Sequence, residues 1–370
     1  MESLVDRNLF VGAYQGKSVF VTGHTGFKGS WLVTWLHMLG ARVTGFSRSP
    51  HTNPSHIDLL KFEGVSEIGD ISDYRQLEEA LLRAQPEVIF HLAAQALVIP
   101  SYQNPRDTYG TNVMGSLNIL EAAKLCSSLK AIVCVTTDKV YENLNREDPY
   151  SEKDILGGYD PYATSKSCTE LLIRSHRKSF FPTEDFNKSH HILLAVARAG
   201  NVIGGGDWAD YRLIPDLVKA ASRREVTSIR SPQAVRPWQH VLESLSGYLL
   251  LGKRLLDKDV SVSGAWNFGP EMSDHVNVGE VVEKMSHLWQ GIKFKVEEPE
   301  EKFHEAKILK LNCDKAKKEL NWKPIWNLDQ GLAATVTWYK EFYENQFIST
   351  ESDILGYVES AQEQGAEWAK

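Results

Sequence analysis

Lys17-Ser-Val-Phe-Val-Thr22-Gly23-His-Thr-Gly26-Phe-Lys-Gly29-Ser-Trp31 decides how the rest of the chain is read. A short β-branched run ends at three glycines in three-residue steps, and an apolar helical pattern opens directly behind them. In that context Gly23, Gly26 and Gly29 form a turn whose backbone approaches a pyrophosphate, while the helix start supplies N–H donors and positive partial charge. A glycine triplet alone carries little weight; the strand before it and the helix after it give it meaning. In the helix Phe27, Trp31 and Trp35 share one stripe, Leu32, Leu36 and Leu39 lie beside it, and Gly40 stops it.

Outward from this turn strand and helix patterns alternate. Runs at 41–46, 87–92, 131–136 and 192–197 are nearly continuous in apolar residues, as expected of parallel strands covered on both faces. Ile68-Gly-Asp70-Ile71 closes a third strand, and helical patterns fill 73–84, 111–126 and 161–180. The fold class that follows is α/β: a doubly wound, mostly parallel Rossmann-type sheet with right-handed crossovers. After Arg198 the rhythm loosens into Gly204-Gly-Gly206, several prolines and helical patterns at 213–222, 241–255, 278–289 and 328–344. Ala265-Trp-Asn-Phe-Gly269 reads as a strand returning to the main sheet. Residues 1–198 are expected to form the dinucleotide-binding domain, its sheet completed by elements around 236–270. A smaller mixed α/β substrate-binding lobe is expected over 199–350, and 351–370 reads as a polar tail that frays.

The cofactor side of this reading takes in Thr25, Phe27 and Lys28 of the turn along with its glycines. Asp70 and Ile71 either meet an adenine or, for Asp70, cap a helix. Leu92-Ala93-Ala94-Gln95 ends the fourth strand in small residues, which leaves room for a flat ligand and is equally good packing. The second strand ends in Phe46-Ser-Arg48-Ser, without the acid that often binds a ribose 2′-hydroxyl. Arg48 either meets a 2′-phosphate or sits in solvent, so these residues leave NAD and NADP both open.

A second signal lies downstream, in Tyr159-Asp-Pro-Tyr162-Ala-Thr-Ser-Lys166. Positions i and i+4 share a helix face, so the phenol of Tyr162 and the ammonium of Lys166 can address one substrate carbon. A free phenol, with a pKa near ~10, is a poor base at neutral pH. A nearby ammonium and the positive ring of an oxidised nicotinamide favour its phenolate. Thr136-Thr137-Asp138-Lys139 follows the fifth strand and so faces the crevice outside the strand ends.

With these residues in view, the chain resembles the extended short-chain dehydrogenase/reductases, in particular the nucleotide-sugar 4,6-dehydratases. Most such dehydratases carry Thr-Asp-Glu where this chain has Thr137-Asp138-Lys139, and lysine there is the pattern of the CDP-glucose 4,6-dehydratase family. Thr22-Gly-His-Thr-Gly-Phe-Lys-Gly-Ser-Trp31, Arg198-Ala-Gly-Asn-Val-Ile-Gly-Gly-Gly-Asp-Trp208 and Arg236-Pro-Trp-Gln-His-Val241 agree with that family. The resemblance implies NAD as cofactor, a nucleotide-sugar substrate and internal redox. Hydride leaves C4 as Tyr162 takes the O4 proton, water leaves across C5 and C6, and hydride returns to C6. By the same resemblance Asp138 protonates the departing hydroxyl and Thr137 holds the O4 region. Lys139 either removes the C5 proton, stabilises an enolate as a cation, or is merely paired to Asp138. Asn201 and Arg236 are expected at the substrate's pyrophosphate and Asn112 at the wall of the site. An epimerase of the same fold would need Tyr162 and Lys166 but not the Asp138-Lys139 couplet. The resemblance also implies a homodimer or homotetramer, joined through the helices at 111–126 and 161–180.

Composition sets the outer limits. The 370 residues are 42% hydrophobic, carry a net charge of −7 and contain no basic tract, which disfavours nucleic-acid binding. No apolar run approaches the ~20 residues of a membrane helix. Met1-Glu-Ser-Leu-Val-Asp-Arg-Asn8 has an early acid and no apolar core, so a cytoplasmic location is expected rather than a secretory leader. Cys126, Cys134, Cys168 and Cys313 lack metal-site or disulfide spacing, so reduced thiols and no metal are expected.

Overall fold

Side chains along a strand point alternately to opposite faces, and in the central strands of this protein both faces are dry. Val19 and Val21 enter one apolar core while Phe20, between them, enters a second. Val88 and Phe90 against Ile89, and Val133 against Ile132 and Cys134, repeat the division. This is why the sequence runs are continuously apolar rather than alternating.

The computed structural model describes residues 8–297 and 306–370; the reading of Met1 to Arg7 as no secretory leader lies outside them. β1 (Ser18–Thr22) passes through the glycine turn into α1 (Phe27–Met38), and β2 (Arg42–Ser47) lies parallel beside β1. After α2 (His56–Leu59) come β3 (Val65–Ile68), α3 (Tyr74–Ala84) and β4 (Val88–His91). Two short helices, α4 (Val98–Gln103) and α5 (Pro105–Tyr109), lead through a π-helical turn (Gly110–Met114) into α6 (Gly115–Ala123). β5 (Ala131–Val135), α7 (Pro161–Ser179) and β6 (Leu193–Ala199) follow. The later elements are β7 (Asn201–Ile203), α8 (Leu213–Arg223), β8 (Val226–Ile229), β9 (Val235–His240) and α9 (Val241–Leu256). β10 (Ala265–Phe268), β11 (His275–Asn277), α10 (Val278–Leu288), β12 (Lys293–Val296), α11 (Asp314–Glu319), α12 (Leu328–Asn345) and α13 (Thr350–Glu363) complete the order.

The main sheet has seven strands in the order β10-β6-β5-β4-β1-β2-β3, and every pairing in it is parallel. The direction of winding reverses between β1 and β4, the place where α/β sheets open a crevice. β10 joins beside β6, as Ala265-Trp-Asn-Phe-Gly269 suggested, but Val235–His240 does not complete this sheet. Instead β9 sits between β11 and β7 in a separate three-stranded sheet, and β8 pairs with β12 in a third. No helix among the described residues is long and apolar enough to cross a membrane.

The polar, fraying tail expected over 351–370 is instead a packed helix. Ile354, Tyr357, Val358 and Ala361 of α13 recur at helical spacing and are buried, with the glutamates and glutamines turned outward. Beyond α13 the ring of Trp368 stacks on Phe10 at 5.1 Å and on Tyr357 at 5.9 Å. This packing covers α1, whose Trp31, Leu32, Val33, Trp35 and Leu36 are all inaccessible to solvent.

Glu243 on α9 anchors the same layer. It accepts hydrogen bonds from the backbone of Ile325 (2.9 Å) and Trp326 (2.7 Å) and from the Tyr357 hydroxyl (2.9 Å). Burial outweighs these donors and pushes its carboxyl up to about 7. The folded value then lies above the ~4.3 of an unfolded glutamate, so the folded state holds the extra proton. The group's contribution to stability must therefore fall as pH rises from about 4 to about 7. Glu243→Gln is expected to narrow the drop in Tm between about pH 5 and pH 8, measured by circular dichroism.

Candidate active site

Register brings the site together. Thr22 lies beside His91, and His91 beside Cys134, so the chain leaves β1, β4 and β5 at one edge of the sheet. Gly23 leaves β1 with φ +78°, a left-handed conformation suited to glycine. A Cβ there would stand 2.7 Å from the backbone nitrogen of Ala93, and one on Gly29 would stand 2.0 Å from the carbonyl oxygen of Gly23. These two positions are glycine because backbone occupies the space of a side chain. Gly26 is less confined, with its nearest neighbour 3.3 Å from the same construction. Thr25 donates to the carbonyl of Arg48 (2.9 Å) and so ties the turn to the end of β2.

A cleft of about 1050 Å³ opens over this edge. It is lined by Gly23, Thr25, Gly26, Phe27, Lys28 and Gly29, by Arg48, Asp70 and Ile71, and by Leu92, Ala93, Ala94 and Gln95. Thr137, Asp138, Lys139, Tyr162, Lys166, Asn201 and Arg236 line it as well. Asp70 is not a helix cap: Asp73 fills that position for α3, while Asp70 accepts from Ser72 and lies 4.0 Å from Arg48. The glycine cradle, the helix start behind it and the small residues at the tip of β4 fit a dinucleotide.

α7 begins at the residue that matters. Asp160 caps it by accepting from Ala163 (2.8 Å), and Pro161 occupies its first turn, so Tyr162 is fixed at the helix entrance. Its backbone nitrogen donates to Ser101 (3.2 Å) and its carbonyl accepts from Ser165 (2.7 Å). Burial pushes the phenol of Tyr162 up to about 12, while nearby Thr137 and the charge of Arg212 pull it down. The i, i+4 spacing places Lys166 on the same face, but its ammonium donates to the carbonyl of Val135 (3.2 Å) instead of meeting the phenol. Burial lowers Lys166 to about 8, with Cys134 and Glu170 opposing. Arg212, whose guanidinium donates to Asp207 (2.9 Å), adds a positive charge that lowers the phenol.

Thr137 ends the strand-to-turn passage after β5 and donates to Asp138 (3.0 Å), and its own hydroxyl accepts from the backbone of Lys139 (3.3 Å). The other carboxylate oxygen of Asp138 is buried and has no hydrogen-bond partner among the described residues. Burial raises the Asp138 carboxyl, and Lys139, Thr137, Arg236 and Lys28 pull against it. A Cβ on Gly200 would stand 3.2 Å from that oxygen and 2.4 Å from Pro237, so the start of the lobe also crowds this corner. Lys28 reaches from the glycine turn to the Tyr248 hydroxyl (3.4 Å), and burial lowers it to about 7.

Asn112 is the predicted site residue that the structure places elsewhere. It does not line the cleft; in the π-helical turn its amide accepts from the backbone of Gln95 (2.8 Å) and donates to Gln95 (3.0 Å) and Ser165 (2.8 Å). It braces the tip of β4 against α7 from behind. Sequence reasoning also missed a buried network beneath Thr137. Glu170 accepts from Thr136 (2.6 Å) and from Arg198 (2.7 Å), Arg198 donates to Tyr141 (2.8 Å), and Tyr141 donates to Asn267 on β10 (2.6 Å). Glu170 stands one helical turn beyond Lys166, a spacing visible in the sequence; Arg212, just ahead of α8, carried no such signal. Among the described residues no cluster of His, Cys, Asp or Glu is placed to hold a metal ion.

A family profile described as GDP-mannose 4,6 dehydratase matches residues 20–335. The chain belongs to this family. A CDP-glucose 4,6-dehydratase of Salmonella typhimurium is 43% identical over 359 residues, spanning 96% of this chain and 99% of that one. A dTDP-glucose 4,6-dehydratase of Haemophilus influenzae is 25% identical, spanning 87% and 97%. Among solved structures, a UDP-glucose 4-epimerase of Thermotoga maritima with UDP-glucose superposes with a TM-score of 0.77 at 23% identity, over 88% of this chain and 99% of that one. A dTDP-glucose 4,6-dehydratase of Streptomyces venezuelae with NAD bound gives 0.73 at 23% identity, over 87% and 97%. At that distance the two structures speak to the fold alone.

Gly29→Ala tests the cradle. Forcing a methyl into packed backbone costs about 1–3 kcal/mol, so NAD binding followed by tryptophan fluorescence is expected to weaken by ~10- to 100-fold. Unchanged affinity would detach the glycine turn from the cofactor.

Proposed function

We propose that the chain is an NAD-dependent CDP-glucose 4,6-dehydratase, converting CDP-D-glucose to CDP-4-keto-6-deoxy-D-glucose and water. The observation that carries this reading is the meeting of Thr137-Asp138-Lys139 with Tyr162 and Lys166 in one cleft beside the glycine turn. The 43% identity to a CDP-glucose 4,6-dehydratase over nearly the whole of both chains supports the choice of nucleotide. The turn from Gly23 to Gly29 and the tips of β2, β3 and β4 would hold NAD, which when bound supplies the store for one hydride.

Tyr162 takes the O4 proton as C4 is oxidised. Burial makes its phenol hold the proton strongly, and nearby Thr137 and the Arg212 charge ease its release. Burial favours the protonated form of Asp138, the form needed to deliver a proton to the departing C6 hydroxyl. Lys139, next along the same turn, removes the C5 proton made acidic by the C4 ketone. Asn201 and Arg236 hold the diphosphate; the planar fork of arginine donors suits that role, and Arg236 is buried. Residues 199–350 are read as the substrate lobe. A second copy of the chain is proposed to dock against α6 and α7, where Met114, Leu171 and Phe180 are exposed; a monomer in sedimentation at micromolar concentration would remove this part. The four unpaired cysteines suit a reducing compartment.

Incubation with NAD and CDP-, dTDP-, GDP- and UDP-hexoses, followed by mass spectrometry, is expected to show loss of one water from CDP-glucose. Unchanged mass would indicate epimerisation, and dehydration of dTDP-glucose alone would refute the cytidine assignment. Tyr162→Phe is expected to lower kcat by about 100- to 10,000-fold, the range of acid–base contributions. Lys139→Ala should still allow C4 oxidation, seen as NADH absorbance, but block water loss; normal dehydration by that variant would remove Lys139 from its role.

A further inference from the structure

Besides Tyr162, Asp138, Asn201 and Arg236, the cleft is lined by residues of α8 and β8. Two polar side chains wait there without a part in the reaction. Thr227 on β8 presents a hydroxyl that is buried and has no hydrogen-bond partner among the described residues. Asp216, on the first turn of α8, lines the same stretch. Lys219 lies 3.3 Å from its Oδ1, on its own helix, and is held more closely by Asp210 at 2.7 Å. Pro215 and Ile229 supply apolar walls on either side. With a hexose at Tyr162 and its diphosphate at Arg236, the base of the nucleotide is carried to this end.

Cytosine differs from uracil and thymine at ring position 4, where an amino donor replaces a carbonyl acceptor, and a carboxylate accepts from that amino group. Its N3 accepts a hydrogen bond, where N3 of uracil or thymine carries a proton. We propose that Asp216 and Thr227 select the base: the carboxylate accepts from the cytosine amino group and the hydroxyl donates to N3. An ionised carboxylate is acceptor-only, so it faces the O4 of uracil or thymine with repulsion. The site thus attracts one base and opposes the others with one residue. The filled cleft would also give the stranded Thr227 hydroxyl its partner. This assignment rests on the nucleotide-sugar reading above and deepens it.

The test compares kcat/KM for CDP-glucose and UDP-glucose in wild type, Asp216→Asn, Thr227→Val and Lys219→Met. A hydrogen bond to a charged group is worth about 1.5–3 kcal/mol, so Asp216→Asn is expected to lower the CDP/UDP ratio by roughly 10- to 100-fold. Thr227→Val should lower it by about 10-fold, chiefly through KM. Lys219→Met removes the ion-pair partner without touching the base and is expected to keep the wild-type ratio. Competition by CMP against UMP for the NAD-loaded protein should move in parallel, which general loss of folding would not produce. Wild-type turnover of CDP-glucose with an unchanged ratio in Asp216→Asn and Thr227→Val would overturn the base assignment alone. Wild-type turnover of dTDP-glucose and not CDP-glucose would overturn both it and the proposed function.

Discussion

Common polarity of seven strands is the constraint on which the site depends. Because every pairing in the main sheet is parallel, all the strand ends that carry chemistry emerge at one edge. Two neighbouring strands wound in opposite directions, β1 and β4, leave the crevice there. Little bulk stands in its way: a Cβ on Gly23 would collide with the backbone of Ala93, and the tip of β4 continues in alanines. The helix that carries Tyr162 and Lys166 and the Thr137–Lys139 turn after β5 are both hung from this edge.

Burial at that edge sets the behaviour of four ionisable groups. Desolvation disfavours charge, and it moves the Tyr162 phenol and the Asp138 carboxyl up and the Lys166 and Lys28 ammonium groups down. Each is thereby drawn toward its neutral form, the state from which proton transfer can start in either direction. Holding such groups so close requires a rigid base. The paired charges of Glu170 and Arg198 provide it because their hydrogen bonds are shared among Thr136, Tyr141 and each other. A buried ion pair of this kind is costly unless its remaining donors and acceptors are met, and here Asn267 on β10 extends the chain of partners.

Local pattern made much of this legible. The glycine spacing, the apolar runs and the Tyr162–Lys166 interval are short-range features, and the strands and longer helices they announced are present within a few residues. The failures share a cause. α13 looked polar because Glu351, Glu359, Gln362 and Glu363 face outward, while its buried Tyr357 meets Trp35 and Trp368 inside. Asn112 was expected at the wall of the site by resemblance; only the fold reveals that Gln95 and Ser165 occupy its amide. Strand β9 was expected in the main sheet, yet its partners β7 and β11 lie to either side of it in sequence and form a sheet of their own.

From sequence alone came the doubly wound class, the glycine turn behind β1 and the Tyr162–Lys166 interval on one helix, because each is encoded in residues that are neighbours along the chain. Tertiary structure alone decided that Lys166 turns to Val135, that Arg212 pairs with Asp207, that Glu170 and Arg198 underpin the turn after β5, and that the Thr227 hydroxyl has no partner among the described residues. These are relations between elements far apart in sequence. Burial and hydrogen-bond partnership are properties of the packed molecule, and no interval within a motif records them.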